Sequence, residues 1–381
     1  MTVSHLCHVL PSFAPGGAQI RTVLVMNGLG QSYRHTVVAI DDDWHCRTKL
    51  MPELDVDFVP AERGHWGKLY PLYMGRKLRS LRPDLVLTYN WGAMDAVVGA
   101  MLRRVRPWVQ IMDGFEAAEA RQQIPRRVRL RRLFYRRAQA VVVVSRGLEN
   151  IAREQWGIPA DRVQHIPNGI DLGRFSPGDG SEMRARLGLG AGDLLVGSVA
   201  HVRGEKNPIH LLEGFARCAQ RFPEAHLVYV GATPGRRSDA CAADRDAWNL
   251  LQAGIERHDL HARVHFAGKV NDVVPAFRAL DVFALSSHTE QMPLSVLEAM
   301  ACAKPVVSTD VGDVKWMVSE ANASAVVPVD DSEAYARALG LLLGYASLRD
   351  DLGACNRARA ESEFGLQGMI EAYGDLFARL C

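Results

Sequence analysis

Short runs rich in β-branched residues alternate along this chain with helix-length amphipathic segments, the pattern of parallel sheets covered by helices. In the first half, strands are predicted at Leu6 to Leu10, Thr36 to Ile40, Asp84 to Thr88, Val109 to Met112 and Ala140 to Val144. A second series runs through Leu194 to His201, His226 to Gly231, Val264 to Gly268, Val282 to Ser286, Pro305 to Thr309 and Ala325 to Val329. Two series, each with its own helices, predict two doubly wound α/β domains. Gly, Pro and Asp punctuate the stretch from Asn168 to Gly180, so the join is expected there. The expected boundaries are a first domain over 1–172, a linker over 173–189 and a second domain over 190–364. The Gly-rich piece Leu187 to Asp193 precedes a strand instead of following one, which makes it a connector and not a dinucleotide fingerprint.

Composition agrees with two globular domains: 381 residues, 48% hydrophobic and 23% charged, are too many for one typical domain. The net charge of +2 hides an asymmetry. Residues 1–172 hold 24 Lys and Arg against 16 Asp and Glu, whereas the remainder holds 21 against 27, so the first half is the expected partner of an anionic surface or substrate. Seven scattered cysteines without a C-x-x-C pair read as reduced cytosolic thiols. The N-terminus runs directly into a strand without a basic region or cleavage site, and no stretch reaches ~18 uninterrupted apolar residues. A cytoplasmic protein is expected, in contact with a membrane at most from its inner face.

The most telling segment is Ser286-Ser287-His288-Thr289-Glu290-Gln291-Met292-Pro293-Leu294-Ser295-Val296-Leu297-Glu298-Ala299-Met300-Ala301. Pro293 suits the first turn of a helix, where its missing N–H is no loss, and small or apolar residues follow as far as Lys304. Such a helix faces buried partners on most sides. An ionised Glu298 on it is costly unless paired, and a ligand rich in hydroxyl donors would pair it. Upstream, the unpaired N–H groups and positive dipole end near Pro293, Leu294 and Ser295 make an anion site. Glu298 lies about 7 Å further along the axis, roughly the distance from a pyrophosphate to its own ribose. Phosphate at the helix tip and ribose at Glu298 describe a nucleotide-diphosphate sugar.

This segment, with Lys304-Pro305-Val306-Val307-Ser308-Thr309 after it, resembles the Glu-x7-Glu signature of retaining glycosyltransferases of family four, which have the GT-B fold. The resemblance implies two Rossmann-like domains with an interdomain cleft, Glu298 on the donor ribose, and Glu290 beside the transferred sugar and its phosphates. The stretch from Asn168 to Pro177 is similar to the family's hinge at Asn168, Gly169, Asp171, Phe175 and Pro177. The family's last helix usually crosses back to the first domain, which implies that role for 365–381.

Other residues take their meaning beside that segment. Gly16 and Gly17 follow the first strand and open a helix, so backbone N–H groups there can approach an anion closely; in the family this loop lies over the donor phosphates and the acceptor. Relatives usually carry Arg where this chain has His201 and Lys where it has Lys206, both on the diphosphate. Lys206 fits; His201 departs from the pattern, and Arg203 is the candidate for the missing fixed charge. At the end of the fourth strand, where relatives often have a histidine, stand Asp113 and Glu116, each either a base for the acceptor hydroxyl or a helix cap. Asp41-Asp42-Asp43 spells the metal-binding Asp-x-Asp of another transferase fold, but it closes the second strand far from the donor motifs and reads as a solvated loop. No metal and no cofactor are expected.

Arg121 to Arg137 holds eight arginines and no acid, apart from which Leu130, Leu133 and Phe134 can form an apolar stripe below a basic face. Such a helix either rests on anionic lipid or is a solvated basic helix; no nucleic-acid motif accompanies the charge. The function implied is metal-independent, retaining transfer of a sugar, from UDP in preference to GDP, to a glycan or lipid-linked acceptor in polysaccharide or lipopolysaccharide synthesis. No carboxylate stands out as a nucleophile, so front-face attack is expected, with Glu290 shielding charge on the sugar. A sugar epimerase on the same fold and a non-catalytic nucleotide-sugar-binding subunit are the alternatives.

Overall fold

The computed structural model describes residues 3–115, 119, 122–237 and 240–381. The chain forms two compact units, Met1–Gly169 with Leu366–Cys381, and Ile170–Gly365. In the first, β1 (Ser4–Leu10), β2 (Tyr33–Ala39), β3 (Val56–Phe58), β4 (Leu85–Tyr89), β5 (Trp108–Met112), β6 (Ala140–Val143) and β7 (Val163–His165) make one parallel sheet in the order β3-β2-β1-β4-β5-β6-β7. In the second, β8 (Leu194–Val199), β9 (Ala225–Val230), β10 (Val264–Gly268), β11 (Val282–Leu285), β12 (Val306–Thr309) and β13 (Val326–Val327) are parallel in the order β10-β9-β8-β11-β12-β13. β4, β5, β6 and β11 are buried along their whole length, as strands covered by helices on both faces must be.

Both orders reverse direction once, between β1 and β4 and between β8 and β11. Open parallel sheets bind ligands outside the carboxyl ends of the strands at such a reversal. The residues that follow β1, β4, β8 and β11 are thereby singled out before any side chain is considered. β3 and β7 were not expected from the sequence. Each is three residues long and only partly buried, which leaves no apolar run to detect.

The expected linker over 173–189 is part of the second unit. It contains a helix, Ser181–Arg186, with Met183 buried, and Arg184 Nη1 donates to Ala279 O at 2.6 Å and pairs with Asp281 at 3.2 Å. Phe175 packs edge-on against Phe277 with 6.2 Å between ring centroids. Its Gly and Pro content marks turns inside a packed segment. Helix Leu366–Leu380 lies in the first unit, where Met369, Tyr373, Leu376 and Phe377 join the core beside Met26, Leu6 and Val142.

That core encloses polar groups. His8 bonds Tyr89 through Nδ1 at 2.9 Å and His35 through Nε2 at 3.0 Å, and His5 reaches Thr36 at 2.8 Å. Burial depresses all three imidazoles, His35 to about 4 and His8 well below its ordinary value.

The arginine-rich segment departs from the expected stripe. Helix Pro125–Tyr135 buries Arg131 and Tyr135, while Leu133 is 49% exposed and Leu130 and Phe134 are half-buried. Arg131 is tolerated inside because buried Glu119 accepts from it at 2.8 and 2.7 Å and because Trp91, Phe115 and Trp156 surround its guanidinium at 5.0–5.3 Å. Burial alone would raise Glu119; the bonds from Arg131 and Arg127 hold it at about 2. Arg121 lies outside the described residues. Among the described residues no helix is long and apolar enough to cross a membrane.

Candidate active site

At the reversal of the second sheet, the loop leaving β8 and the loop leaving β11 are tied together by their backbones. His288 N–H donates to Glu205 O at 2.9 Å, and Ser286 Oγ donates to the carbonyls of Lys206 and Asn207 at 2.9 and 3.0 Å. From these loops Lys206 Nζ meets Glu290 Oε1 at 2.6 Å, and Ser287 Oγ donates to the same oxygen at 2.7 Å. Thr309, ending β12, donates to Ser287 O at 2.7 Å. The pair is therefore held from three strand ends. Both side chains remain partly open, Lys206 at 29% and Glu290 at 11%.

Gly312 supports the Glu290 loop from below. Its φ is +54°, and a Cβ there would stand 2.3 Å from Gln291 O and 2.7 Å from Glu290 O. Only glycine lets these two backbones touch. Asp313 N–H donates to Gln291 O at 2.8 Å beside it.

The helix predicted after Glu290 spans Leu294–Ala301, with Pro293 as its cap residue at φ −69° and ψ 124°, one position earlier than a first-turn residue. No side chain caps it and no acid occupies its first turn. Val296, Leu297, Ala299, Met300 and Ala301 are buried, and the remaining Leu294, Ser295 and Glu298 form one half-buried face. Leu294 and Glu298 are one turn apart, about 6 Å along the axis. The Glu298 carboxylate makes no hydrogen bond or ion pair with a described residue. Burial pushes it up to about 7, against the weaker pull of Arg174.

The two basic positions before Lys206 behave differently. His201 Nδ1 accepts the Ala232 N–H at 2.9 Å, so that nitrogen carries no proton and the ring contributes no fixed positive charge while the bond lasts. Arg203 Nη1 lies 3.8 Å from Glu205 and is 36% exposed. The loop between them is clamped by Asp244, which accepts from Gly204 N–H at 3.0 Å and pairs with buried Arg237 at 3.2 Å. Asp244 belongs to helix Ala242–Arg257.

In the first unit, Gly16 and Gly17 stand where helix Gly17–Leu29 begins, again without a side-chain cap or an acid in the first turn. Asp113, just beyond β5, is neither solvent-free nor loose: Oδ1 meets buried Arg21 at 2.6 Å, and Oδ2 lies 3.4 Å from the Asn90 amide, a weak contact. Burial raises its carboxyl and Arg21 pulls it down, with burial the stronger. Glu116 lies outside the described residues. In the Asp41-Asp42-Asp43 loop, Asp41 Oδ1 accepts from Asp43 N–H, Asp42 Oδ1 from Ala61 N–H and Asp43 Oδ1 from His45 N–H, at 2.8 to 3.0 Å.

Sequence reasoning missed Ser286, Ser287, Thr309, Gly312 and Asp244. Ser286 and Ser287 sit in the recognised segment, but Ser286 holds a loop distant in sequence and Ser287 holds the Glu290 carboxylate three residues on. A glycine within Asp310-Val311-Gly312-Asp313 directly after a strand was the one available signal for Gly312.

Comparison with known proteins matches residues 15–174 to the model "Glycosyltransferase Family 4" and residues 194–344 to "Glycosyl transferases group 1". The D-inositol 3-phosphate glycosyltransferase of Stackebrandtia nassauensis is 31% identical over 234 residues, 58% of this chain and 50% of the relative. That of Corynebacterium jeikeium is 27% identical over 312 residues, 78% of this chain and 72% of the relative. The chain spans about half the length of several of these curated relatives. Among solved structures, Anabaena HepE in complex with UDP and glucose superposes with a TM-score of 0.81 at 22% identity, over 98% of this chain and 99% of that one, which makes the fold GT-B. The two matches together take in every strand of both sheets except β1, and the chain belongs to the family-four, group-1 glycosyltransferases.

Proposed function

We propose that this chain is a retaining glycosyltransferase that works without a bound metal, moving a sugar from a nucleotide-diphosphate sugar, UDP in preference to GDP, to a glycan or lipid-linked acceptor in cell-surface polysaccharide or lipopolysaccharide synthesis. One observation carries the donor assignment. Glu298 is a carboxylate with no hydrogen bond or ion pair to a described residue, on the open face of a helix whose first turn is uncapped. A ribose diol supplies two hydroxyl donors to Glu298, and the diphosphate then reaches the N–H groups at Leu294 and Ser295. HepE, similar in fold, holds UDP and glucose, which supports UDP as the first nucleotide to try.

Lys206 turns toward the diphosphate and offsets the charge that grows on the leaving oxygen, with Arg203 adding a second cation. Glu290, released from part of its pairing, takes sugar hydroxyls and stabilises positive charge at the anomeric carbon. The acceptor oxygen forms its bond to that carbon on the face from which the phosphate departs, and its proton passes to a phosphate oxygen. The Gly16–Gly17 turn meets the donor phosphates and the acceptor, and Asp113 the acceptor. Asp113 Oδ2, only weakly engaged, is the oxygen available to an acceptor hydroxyl.

Calorimetric titration of UDP, GDP and their sugars into the wild type and Glu298→Ala, with chelator present, tests the donor assignment. Micromolar binding of one nucleotide that the variant loses supports it; equal binding by both proteins defeats it. Release of nucleoside diphosphate with acceptor, with the anomeric configuration of the product read by NMR, tests transfer and retention. The neutral His201 favours one second reading, a nucleotide-sugar-binding subunit without turnover, which binding in the absence of any release would support.

A further inference from the structure

The carboxyl ends of β1 and β5 carry Gly16, Gly17 and Asp113. At the opposite edge of the same sheet, where β5, β6 and β7 begin, Arg106, Arg136, Arg137 and Arg162 surround a concavity of about 330 Å³ with Gln139 and Leu380. Seven residues of mostly extended chain separate Arg106 from Asp113, roughly 20 Å at the rise of a strand. The rule that places ligands at carboxyl ends of parallel strands does not account for this cluster.

No carboxylate side chain lines the concavity. Two of its arginines have a structural reason to be there. Arg162 Nη1 donates to the carbonyls of Arg136 and Ala138 at 2.8 and 3.5 Å, and Arg137 Nη1 donates to Leu133 O, so both satisfy carbonyls at the end of helix Pro125–Tyr135. Arg106 and Arg136 have no such reason. Both are exposed, and neither makes a side-chain hydrogen bond or ion pair with a described residue. Four like charges converge on one hollow, two of them fixed by the backbone and two idle. Their mutual repulsion falls when a compact, multiply charged oxyanion enters, and the planar guanidinium fork matches phosphate oxygens two at a time. The exposed face of the same helix, Arg126, Arg129 and Arg132, continues the positive potential toward the hollow.

We propose that this concavity binds a phosphate-bearing group, with Arg106 and Arg136 as the ligating side chains and Arg137 and Arg162 as a fixed positive wall. A phosphomonoester or diphosphate in solution and the phosphate of a lipid headgroup share that chemistry. The site is independent of the sugar-transfer reading, which stands whether or not this one does.

The test uses the full chain and the Arg106→Gln/Arg136→Gln double variant. Pyrophosphate is titrated calorimetrically into each, and each is sedimented with vesicles of phosphatidylcholine alone and of phosphatidylcholine doped with phosphatidylglycerol. The wild type binds at least one probe, and the double variant binds it about tenfold or more weakly, because two charge-assisted contacts are gone. Loss confined to pyrophosphate identifies a soluble phosphate ligand; loss confined to the doped vesicles identifies a headgroup. Pyrophosphate heat that survives in the variant belongs to another site. Equal behaviour of the two proteins in both arms overturns the proposal, as does a wild type that binds neither probe. Both side chains are exposed, so the melting temperature is expected to be unchanged; if it drops, Arg136→Lys, which keeps the charge and loses the fork, must still weaken binding.

Discussion

Lys206 Nζ and Glu290 Oε1 stand 2.6 Å apart although 84 residues of chain separate them, joined across the point where the second sheet reverses. Ser287 donates to the same oxygen, so Glu290 retains a fixed partner in the proposed reaction, where Lys206 turns to a phosphate. Lys206→Ala is expected to lower kcat by about 100-fold or more, the usual loss when one donor to a developing oxyanion is removed, with little change in melting temperature. Steady-state kinetics with UDP-sugar decide it. A kcat within about threefold of wild type would remove Lys206 from the transition state.

With the donor ribose on Glu298 as proposed, the carboxyl, raised to about 7, links donor binding to pH. Hydroxyl donors favour the ionised form, so the bound state has the lower pKa and binding releases a proton near neutrality. Affinity is expected to level off above pH 7 and to fall about fifteenfold between pH 7 and pH 5.5, approaching one factor of ten per unit at the acid end. The nucleotide phosphate also titrates in this range, and Glu298→Gln supplies the control. Calorimetry at several pH values should show the steep dependence in the wild type alone; parallel curves would detach Glu298 from the ribose.

Gly312→Ala adds one methyl where two carbonyl oxygens already lie within 2.7 Å, at a φ of +54°. Strain and clash together are expected to cost about 2–4 kcal/mol in stability or to displace the Glu290 loop. The measurements are urea unfolding and kcat. A variant with wild-type stability and wild-type kcat would mean that the loop does not depend on this contact.

The elements that carry the candidate donor site were legible because their signals are local. β8, β11 and β12 are apolar runs with turn residues on either side, and the Leu294–Ala301 helix announces itself through Pro293 and the isolated Glu298. What brings Lys206 to Glu290 was not legible. The bonds from Ser286 to Lys206 O and from Thr309 to Ser287 O depend on strand order, and strand order is a property of the whole sheet. The burial of Arg131 was hidden for a related reason. The stripe of Leu130, Leu133 and Phe134 below a basic face groups Arg131 with the other arginines, but Glu119 and three aromatic rings from other elements draw it inside, a reversal set by residues outside the helix.

That reversal has an energetic consequence. Glu119 and Arg131 are both fully buried, so Glu119→Gln leaves a guanidinium in the interior with its charge unbalanced. The variant is expected to lose about 3–5 kcal/mol, whereas Arg131→Met with Glu119→Leu should recover much of the loss, since an apolar pair of similar volume needs no desolvation. Denaturant melts of the three proteins test this. A single variant as stable as wild type would mean that water already compensates the pair.

The buried imidazoles of the first unit set its acid limit. His5, His8 and His35 are all held below the ordinary histidine value by burial, His35 at about 4. The unfolded chain therefore binds more protons than the folded one from about pH 6.5 downward, and the stability lost is about 1.4 kcal/mol per pH unit for each histidine that stays neutral in the fold. Above pH 6.5 these groups are neutral in both states and contribute no slope. His210, His226 and His265 in the second unit are depressed by burial as well and add to the same trend. Glu119 acts in the same direction further down, because its folded value near 2 is below that of a free carboxyl, so its contribution disappears as pH falls through that range. Urea unfolding between pH 8 and pH 5 should be flat at first and then fall steeply, with proton uptake on unfolding at pH 5.5. His35→Gln keeps a hydrogen-bonding group opposite His8 Nε2 and removes one titrating site, so its curve should be shallower by about one histidine's slope. A wild-type stability that is level from pH 6.5 to pH 5 would mean that these rings accept protons without leaving the fold.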